Sequence, residues 1–230
     1  VVPIENSLAG TIYEVLDLLL QYPDISVAGE QKTRIVHNLL GLPGSSIEGL
    51  RRVYSHPQGI AQCAGFFERH PGLERVSYFD TAGAAALVAR KGEPELGAIA
   101  GREAAAEYGL EVLKEGIETN PHNYTRFFVI SRTERGPVRE PNRAAFVFST
   151  GDTPGALYRV LKVLADRGLN MKKLESRPIQ GKPWQYMFFV VVDLPPEQEV
   201  LQEAMERLKE QAGSVRLLGL YHSTDARGPE

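Results

Sequence analysis

Apolar positions open the chain as a run, Val1-Val2-Pro3-Ile4, followed by the polar triplet Glu5-Asn6-Ser7 and then by Ile12, Val15, Leu16 and Leu19 at helical spacing. This pattern predicts a strand, a polar loop and a helix over 10–20, with Asn6 or Ser7 capping the turn before it. The opening run lacks an initiator methionine and reads as the end of a buried strand, so an upstream segment is expected. Strand-like runs follow at 25–28 and 34–40, closed by Gly41-Leu42-Pro43-Gly44, after which Ser45 and Glu48 have capping-box spacing for a short helix to about Arg52. Next come a strand at Val53-Tyr54, a helix from Pro57 to Arg69, a strand at 76–79, an alanine-rich helix from Asp80-Thr81 to Lys91, a strand at 96–100 and a helix at 102–108. Such alternation predicts an α/β layer structure with a mainly parallel sheet, in which ligands gather where strands end and helices begin. Glu5-Asn6-Ser7, Ser55-His56-Pro57 and Asp80-Thr81 fall at such junctions, and Asn123-Tyr124-Thr125-Arg126 leads into a strand at 127–130.

Between Ser131 and Asn142 the composition turns charged, with Gly136, Pro137 and Pro141, which predicts a linker. Beyond it the order is strand (144–149), helix (154–167), strand (172–178), strand (184–192), helix (197–212), strand (214–221). That is βαββαβ, the ferredoxin-like layout. Gly181-Lys182-Pro183 supplies a hairpin turn, and Val200, Leu201, Ala204, Met205 and Leu208 give the second helix one apolar face. The stretch after His222 is polar and is expected to be a loose tail.

Composition narrows the partners. With 43% hydrophobic residues among 230, the chain can bury a substantial core in one large or two modest domains. Its 26 basic and 29 acidic residues are dispersed, with no basic block to track a phosphate backbone, so no nucleic-acid partner is expected. Cys63 is the single cysteine and is expected to be a small buried hydrophobe; no internal disulfide can form. No stretch has the length of a membrane span or the pattern of a signal peptide, so no membrane partner and a cytoplasmic location are expected. His37, His56, His70, His122 and His222 lack metal-ligand spacing, and neither metal nor cofactor is expected.

Taken singly, helix capping accounts for Asn6, Ser7, Ser55 and His56, and the solvent face of an edge strand accounts for Asn123, Thr125 and Arg126. Capping has no use for Glu5, and Gln62 stands two turns beyond Ser55 on the same side of a helix. Together the motifs are specific. Pro3-Ile4-Glu5-Asn6-Ser7, Ser55-His56-Pro57-Gln58 with Gln62-Cys63, Asp80-Thr81-Ala82-Gly83-Ala84-Ala85 and Asn123-Tyr124-Thr125-Arg126-Phe127 occur in the order and spacing of the prephenate dehydratase family, whose catalytic domain this part of the chain resembles. Gly155-Ala156-Leu157, Glu175-Ser176-Arg177-Pro178 and Pro183-Trp184 with Tyr186, Phe188 and Phe189 resemble that family's regulatory ACT domain. The resemblance runs from Val1 to about Leu220. The chain departs from the pattern in lacking the glycine-rich turn that opens the catalytic domain, in Asp80 where glutamate is frequent, and in Tyr158 where valine is common.

The resemblance implies a bilobed, periplasmic-binding-protein-like α/β catalytic domain over 1–133 with its active site in the cleft between lobes. A linker over 134–142, a ferredoxin-like ACT domain over 143–222 and a tail over 223–230 complete the division. The implied reaction removes the ring hydroxyl and ring carboxylate of prephenate as water and carbon dioxide, leaving phenylpyruvate. Thr125 is then placed at the departing hydroxyl and Arg126 polarises it, while Glu5, Asn6, Ser55 and Gln62 orient the substrate. Ser7, His56, Asp80, Thr81 and Asn123 are further substrate contacts, and Arg126 with helix N-termini near Ser7, Ser55 and Thr81 supplies positive potential for a dianion. L-Phenylalanine is implied as effector between paired ACT domains of a homodimer or homotetramer, at Gly155, Ala156, Leu157, Asn170, Glu175, Ser176, Arg177 and Pro178. Two other readings stand beside this one: an arogenate dehydratase, and a non-enzymatic amino-acid sensor, against which the joint presence of Thr125, Arg126, Glu5 and Gln62 argues.

Overall fold

The computed structural model describes residues 1–132, 138, 140–179, 181–182, 184–197 and 199–223. The chain divides into two compact units, one formed by residues 1–33 and 125–230 and the other by 34–124. Most of the expected linker, including Gly136 and Pro137, lies outside the described residues, as do Pro183 of the expected hairpin turn and 224–230 of the expected tail.

The first unit holds two sheets. Strands β1 (Val2–Asn6), β2 (Gly10–Thr11), β3 (Ser26–Arg34) and β9 (Tyr124–Ser131) form one, in the order β2-β1-β9-β3. Strands β10 (Arg143–Ser149), β11 (Met171–Pro178), β12 (Tyr186–Asp193) and β13 (Ser214–Tyr221) form the other, in the order β11-β12-β10-β13, antiparallel throughout. With helices α6 (Ala156–Ala165) and α7 (Glu199–Gln211) the latter completes the expected βαββαβ fold. Its central strands β10 and β12 are nearly continuous apolar runs because both faces are covered. Ala144, Phe146, Phe148, Val190 and Val192 pack under α6 and α7. The alternate residues Ala145, Val147, Phe189 and Val191 join Ile4, Phe128, Val27 and the Leu16 and Leu19 face of helix α1 (Tyr13–Gln21) in a second core.

The second unit is a sheet of β4 (Asn38–Gly41), β5 (Arg52–Ser55), β6 (Glu74–Ser77), β7 (Leu96–Ala100) and β8 (Glu111–Lys114), ordered β6-β5-β7-β4-β8. Only β6, β5 and β7 run parallel; β4 is antiparallel to β7 and to β8, so the sheet is mixed rather than mainly parallel. Helices α4 (Thr81–Lys91) and α5 (Arg102–Tyr108) contribute Ala84, Ala85, Val88 and Ala105 to a core with Tyr54 and Ala98. Cys63, at the joint of α2 (Pro57–Gln62) and α3 (Ala64–Arg69), builds another core with Phe66, Phe67, Val53 and Ile99.

Several local expectations are corrected. The helix expected from Gly10 begins at Tyr13, because Gly10 turns at φ +83° and pairs back onto Asn6 as a hairpin. Asn6 therefore caps no helix: its Oδ1 accepts from the Leu8 and Ala9 amides inside the hairpin turn. The strand expected over 34–40 is broken at 35–37, where Ile35 donates to the Asn123 carbonyl and His37 to the Glu118 carboxylate. Ser46, not Ser45, caps a single 3₁₀ turn (Ile47–Gly49), and the helix expected over 57–69 divides at Cys63. Ser223, assigned by sequence to the tail, is buried and hydrogen-bonds Glu30. Strand β8 was not anticipated.

Gly219 marks the tightest approach in the first unit: a Cβ there would stand 1.9 Å from the Val27 carbonyl oxygen. Backbone cannot yield as a flexible side chain does. Gly219→Ala is expected to destabilise the protein by about 1–3 kcal/mol, read as a lower urea midpoint at unchanged m-value.

Candidate active site

In the first unit the register of β1 on β9 sets Glu5 opposite Arg126 and Asn6 opposite Thr125. Asn6 and Thr125 are both buried, and the Asn6 amide donates to the Thr125 hydroxyl oxygen at 2.9 Å. The two turn amides on Asn6 Oδ1 fix which end of that amide faces Thr125. A hydroxyl oxygen that accepts from an amide keeps its own proton to donate, so this pairing turns Thr125 into an oriented donor.

Arg126 lies 3.3 Å from the Glu5 carboxylate and 3.6 Å from that of Glu30. Glu30 is buried and accepts from the Tyr221 and Ser223 hydroxyls, each at 3.0 Å. Burial, with the Glu30 charge adding, pushes the Tyr221 phenol well above its usual range, so it remains a donor. The Arg126 charge is thus matched by two carboxylates, which weakens its expected role as the attractor of a dianion. Lys173, from β11, stands 3.4 Å from the other oxygen of Glu5. Ser7 lies exposed in the hairpin turn, and no helix begins beside it.

In the second unit Gln62 Oε1 sits 2.7 Å from His37 Nε2 and accepts from the Asn123 amide at 3.0 Å. With Oε1 the acceptor, His37 Nε2 is the donor in this contact. Ser55 is fully buried at the end of β5 and donates to the Ile99 carbonyl at 2.8 Å. A Cβ on Gly59 would meet Ser55 Oγ at 2.9 Å and His37 Cε1 and Thr81 Cγ2 at 3.7 Å each, so Ser55, His37 and Thr81 converge over the first turns of α2. His56 caps that helix through Nδ1, and Asp80 caps α4 by accepting from Gly83 at 2.6 Å. Both are therefore engaged in capping. Helices α2 and α4 begin directly after these caps, beside Ser55 and at Thr81.

Among the expected effector residues, Gly155 opens α6 at φ +76° with no side-chain cap, Ala156 is buried, and Leu157 packs against the core under α6 and α7. Asn170 instead bonds Asp193 at 3.1 Å. Alternation along β11 puts Lys173, Glu175 and Arg177 on one face and Ser176 and Pro178 on the other. Glu175 accepts from Thr11 at 2.5 Å, and Arg177 binds Asp17 through Nε at 2.7 Å and through its terminal nitrogen at 2.5 Å. A cavity of about 410 Å³ opens beside Arg177, Asp17, Leu20 and Met187.

Glu30, Lys173, Thr11 and, as a functional residue, His37 stand outside the sequence motifs. Lys173 carried a signal in being a charged residue inside the strand expected over 172–178, whereas Glu30 lies beyond the strand expected over 25–28 and joins β3 only in the structure; which charges they meet follows only from the register.

Family models described as prephenate dehydratase and as ACT domain match residues 1–135 and 145–213. A prephenate dehydratase of Methanocaldococcus jannaschii is 38% identical over 96% of this chain and 80% of its own length, and arogenate dehydratase 2 of Petunia hybrida is 39% identical over 97% and 60%. The chain spans about 60% of the length of most of the curated relatives it matches. Among solved structures, a prephenate dehydratase from Arthrobacter aurescens in complex with L-Phe superposes with a TM-score of 0.88 at 31% identity, covering 98% of this chain and 75% of that one. A protein described as a novel type of quorum quenching acylase superposes at 0.86 with 35% identity, covering 97% and 81%.

No described helix is long and apolar enough to cross a membrane. Burial, with the Glu118 charge adding, pushes the Cys63 thiol up to about 12, so it stays protonated at neutral pH and is no nucleophile. At pH 8 the native protein is expected to react with Ellman's reagent at least about a hundredfold more slowly than in urea, where one thiol titrates.

Proposed function

Since the chain belongs to the prephenate dehydratase family and carries an ACT domain, we propose that it converts prephenate to phenylpyruvate under feedback control by L-phenylalanine. The observation that carries this reading is the Asn6–Thr125 hydrogen bond set beside the Glu5–Arg126 ion pair by one strand register.

The ring carboxylate leaves as carbon dioxide, its bonding electrons complete the aromatic ring, and the ring C–O bond breaks; the departing hydroxide takes up one proton and leaves as water. Aromatisation drives the sequence, so the demand on the protein is to stabilise charge on the departing oxygen. Thr125, accepting from Asn6, donates its proton toward that oxygen as a positioned hydrogen bond rather than as a strong acid. Glu5 is assigned to orient the substrate; by itself it would repel a dianion, and Arg126 and Lys173 at 3.3 and 3.4 Å offset that charge. Gln62 and Asn123 are assigned to the substrate carboxylates and carbonyl and Ser55, whose proton goes to the Ile99 carbonyl, to the substrate hydroxyl as an acceptor, with Ser7, His56, Asp80 and Thr81 as further contacts. The His37 and Asn123 donors on Gln62 Oε1 fix the orientation of its amide for that task.

Catalytic function is placed within 1–133 and effector binding within 143–222, with L-phenylalanine held between ACT domains of a cytoplasmic homodimer or homotetramer. Gly155 to Leu157, Asn170 and Glu175 to Pro178 are assigned to it. Inhibition is then a shift toward a less active arrangement that the effector binds better.

The deciding experiment is incubation of the chain with prephenate and, separately, with arogenate. Phenylpyruvate from the first supports the reading, a clear preference for the second reassigns the substrate, and turnover of neither rejects it. Thr125→Ala is expected to lower kcat on prephenate by a factor on the order of a hundred or more, the scale for losing one oriented transition-state donor. L-Phenylalanine is expected to raise the melting temperature and lower turnover, and calorimetry without a binding signal would contradict the regulatory half.

A further inference from the structure

Lys173 is a lysine that the fold buries: its side chain is 3% exposed, although it lies on β11, an edge strand of its sheet. A buried ammonium is tolerated only when its donors are met. Its Nζ lies 2.6 Å from Thr11 Oγ1, 3.3 Å from Glu175 Oε1 and 3.4 Å from Glu5 Oε1, so three oxygens face its three N–H bonds. Thr11 closes the circuit, accepting from Lys173 and donating to Glu175 at 2.5 Å. Tyr13, at 3.4 Å, donates to the other Glu175 oxygen. Burial raises the Glu175 carboxyl, but the Thr11 hydrogen bond and the Lys173 charge outweigh it and hold that carboxyl below its usual range.

We propose that Lys173 is a positioning residue for Glu5, and that by dividing its ammonium between Glu5 and Glu175 it links substrate orientation to the segment assigned to the effector. The proposal rests on the reading of Glu5 as a substrate-orienting residue. Sharing is the physical content. One cation between two carboxylates moves toward whichever is less well satisfied elsewhere, so a ligand drawing on Glu175 changes the hold on Glu5 without touching it. Thr11 pairs with Glu5 in the β1–β2 hairpin, so the backbone joins two of the positions that Lys173 joins through its side chain.

The test uses the intact chain, with steady-state kinetics on prephenate and urea midpoints for wild type, Lys173→Met, Lys173→Arg, Glu5→Gln and the Lys173 variants in the Glu5→Gln background. Lys173→Met is expected to lose about tenfold in kcat with less than about threefold change in KM, Lys173→Arg to recover part of it, and the loss to shrink below about twofold once Glu5 is Gln. A loss of equal size in both backgrounds is what a merely structural lysine gives, and it overturns the proposal, as does a Met variant within about twofold of wild type. Should Lys173→Met not fold, Lys173→Arg carries the test: a kcat loss of about threefold that vanishes with Glu5→Gln supports it, and a persistent or absent loss overturns it. In a folded Lys173 variant that still binds phenylalanine by calorimetry, inhibition is expected to weaken at least about fivefold; undiminished inhibition overturns the link to Glu175. If wild type does not turn over prephenate, the functional reading fails on its own. The urea midpoints then decide the pairing: non-additive Lys173 and Glu5 effects support it, and additive ones overturn it.

Discussion

Asn6 and Thr125 are 119 positions apart in the chain and are brought together by the antiparallel register of β1 on β9. Side chains alternate across a strand, so a slip of one residue would turn Asn6 and Thr125 to opposite faces and part Glu5 from Arg126 in the same move. What fixes the register is apolar: Ile4 and Phe128, on the same two strands, are fully buried in the core shared with α1 and the ACT sheet. The polar chemistry of the site is thereby dictated by two buried hydrophobes and by Asn6, whose side chain both closes the hairpin turn and addresses Thr125.

The charges around this register form one connected set. Lys173 and Arg126 alternate with Glu175, Glu5 and Glu30, and the ends are tied by hydroxyl groups, Thr11 and Tyr13 at one and Tyr221 and Ser223 at the other. Buried or half-buried charges of this kind contribute little net stability, because desolvation offsets their attraction, while removal of one partner leaves the other buried and uncompensated. Lys173, Tyr221 and Ser223 come from the C-terminal half of the chain, so the surroundings of Glu5 and Arg126 are completed by residues well beyond β9 in sequence.

Much of this was legible beforehand where local physics decides. The βαββαβ order of the C-terminal half could be read because β10 and β12 are buried on both faces and α7 on one, which leaves an unambiguous apolar pattern. Asp80 as a helix cap was readable for the same reason: the hydrogen bond to Gly83 is three residues long. Failures fell where distant groups compete. The segment 35–37 looks like strand until the Asn123 carbonyl and the Glu118 carboxylate claim its amides, and Asn6 looks like a helix cap until Gly10 turns the chain back. The candidate residues were found by their motif company, whereas Lys173, Glu30 and His37 went unnoticed because their meaning is their partners, which no spacing reveals.

The central claim is that Asn6 and Thr125 act as one device, the amide orienting the hydroxyl that assists the departing oxygen. Measuring kcat on prephenate for Asn6→Ala, Thr125→Ala and the double variant tests it most directly. The account predicts that the double variant is no more than about twofold slower than Thr125→Ala alone, because an orienting amide has no role once its hydroxyl is gone. Losses that multiply across the pair would contradict it.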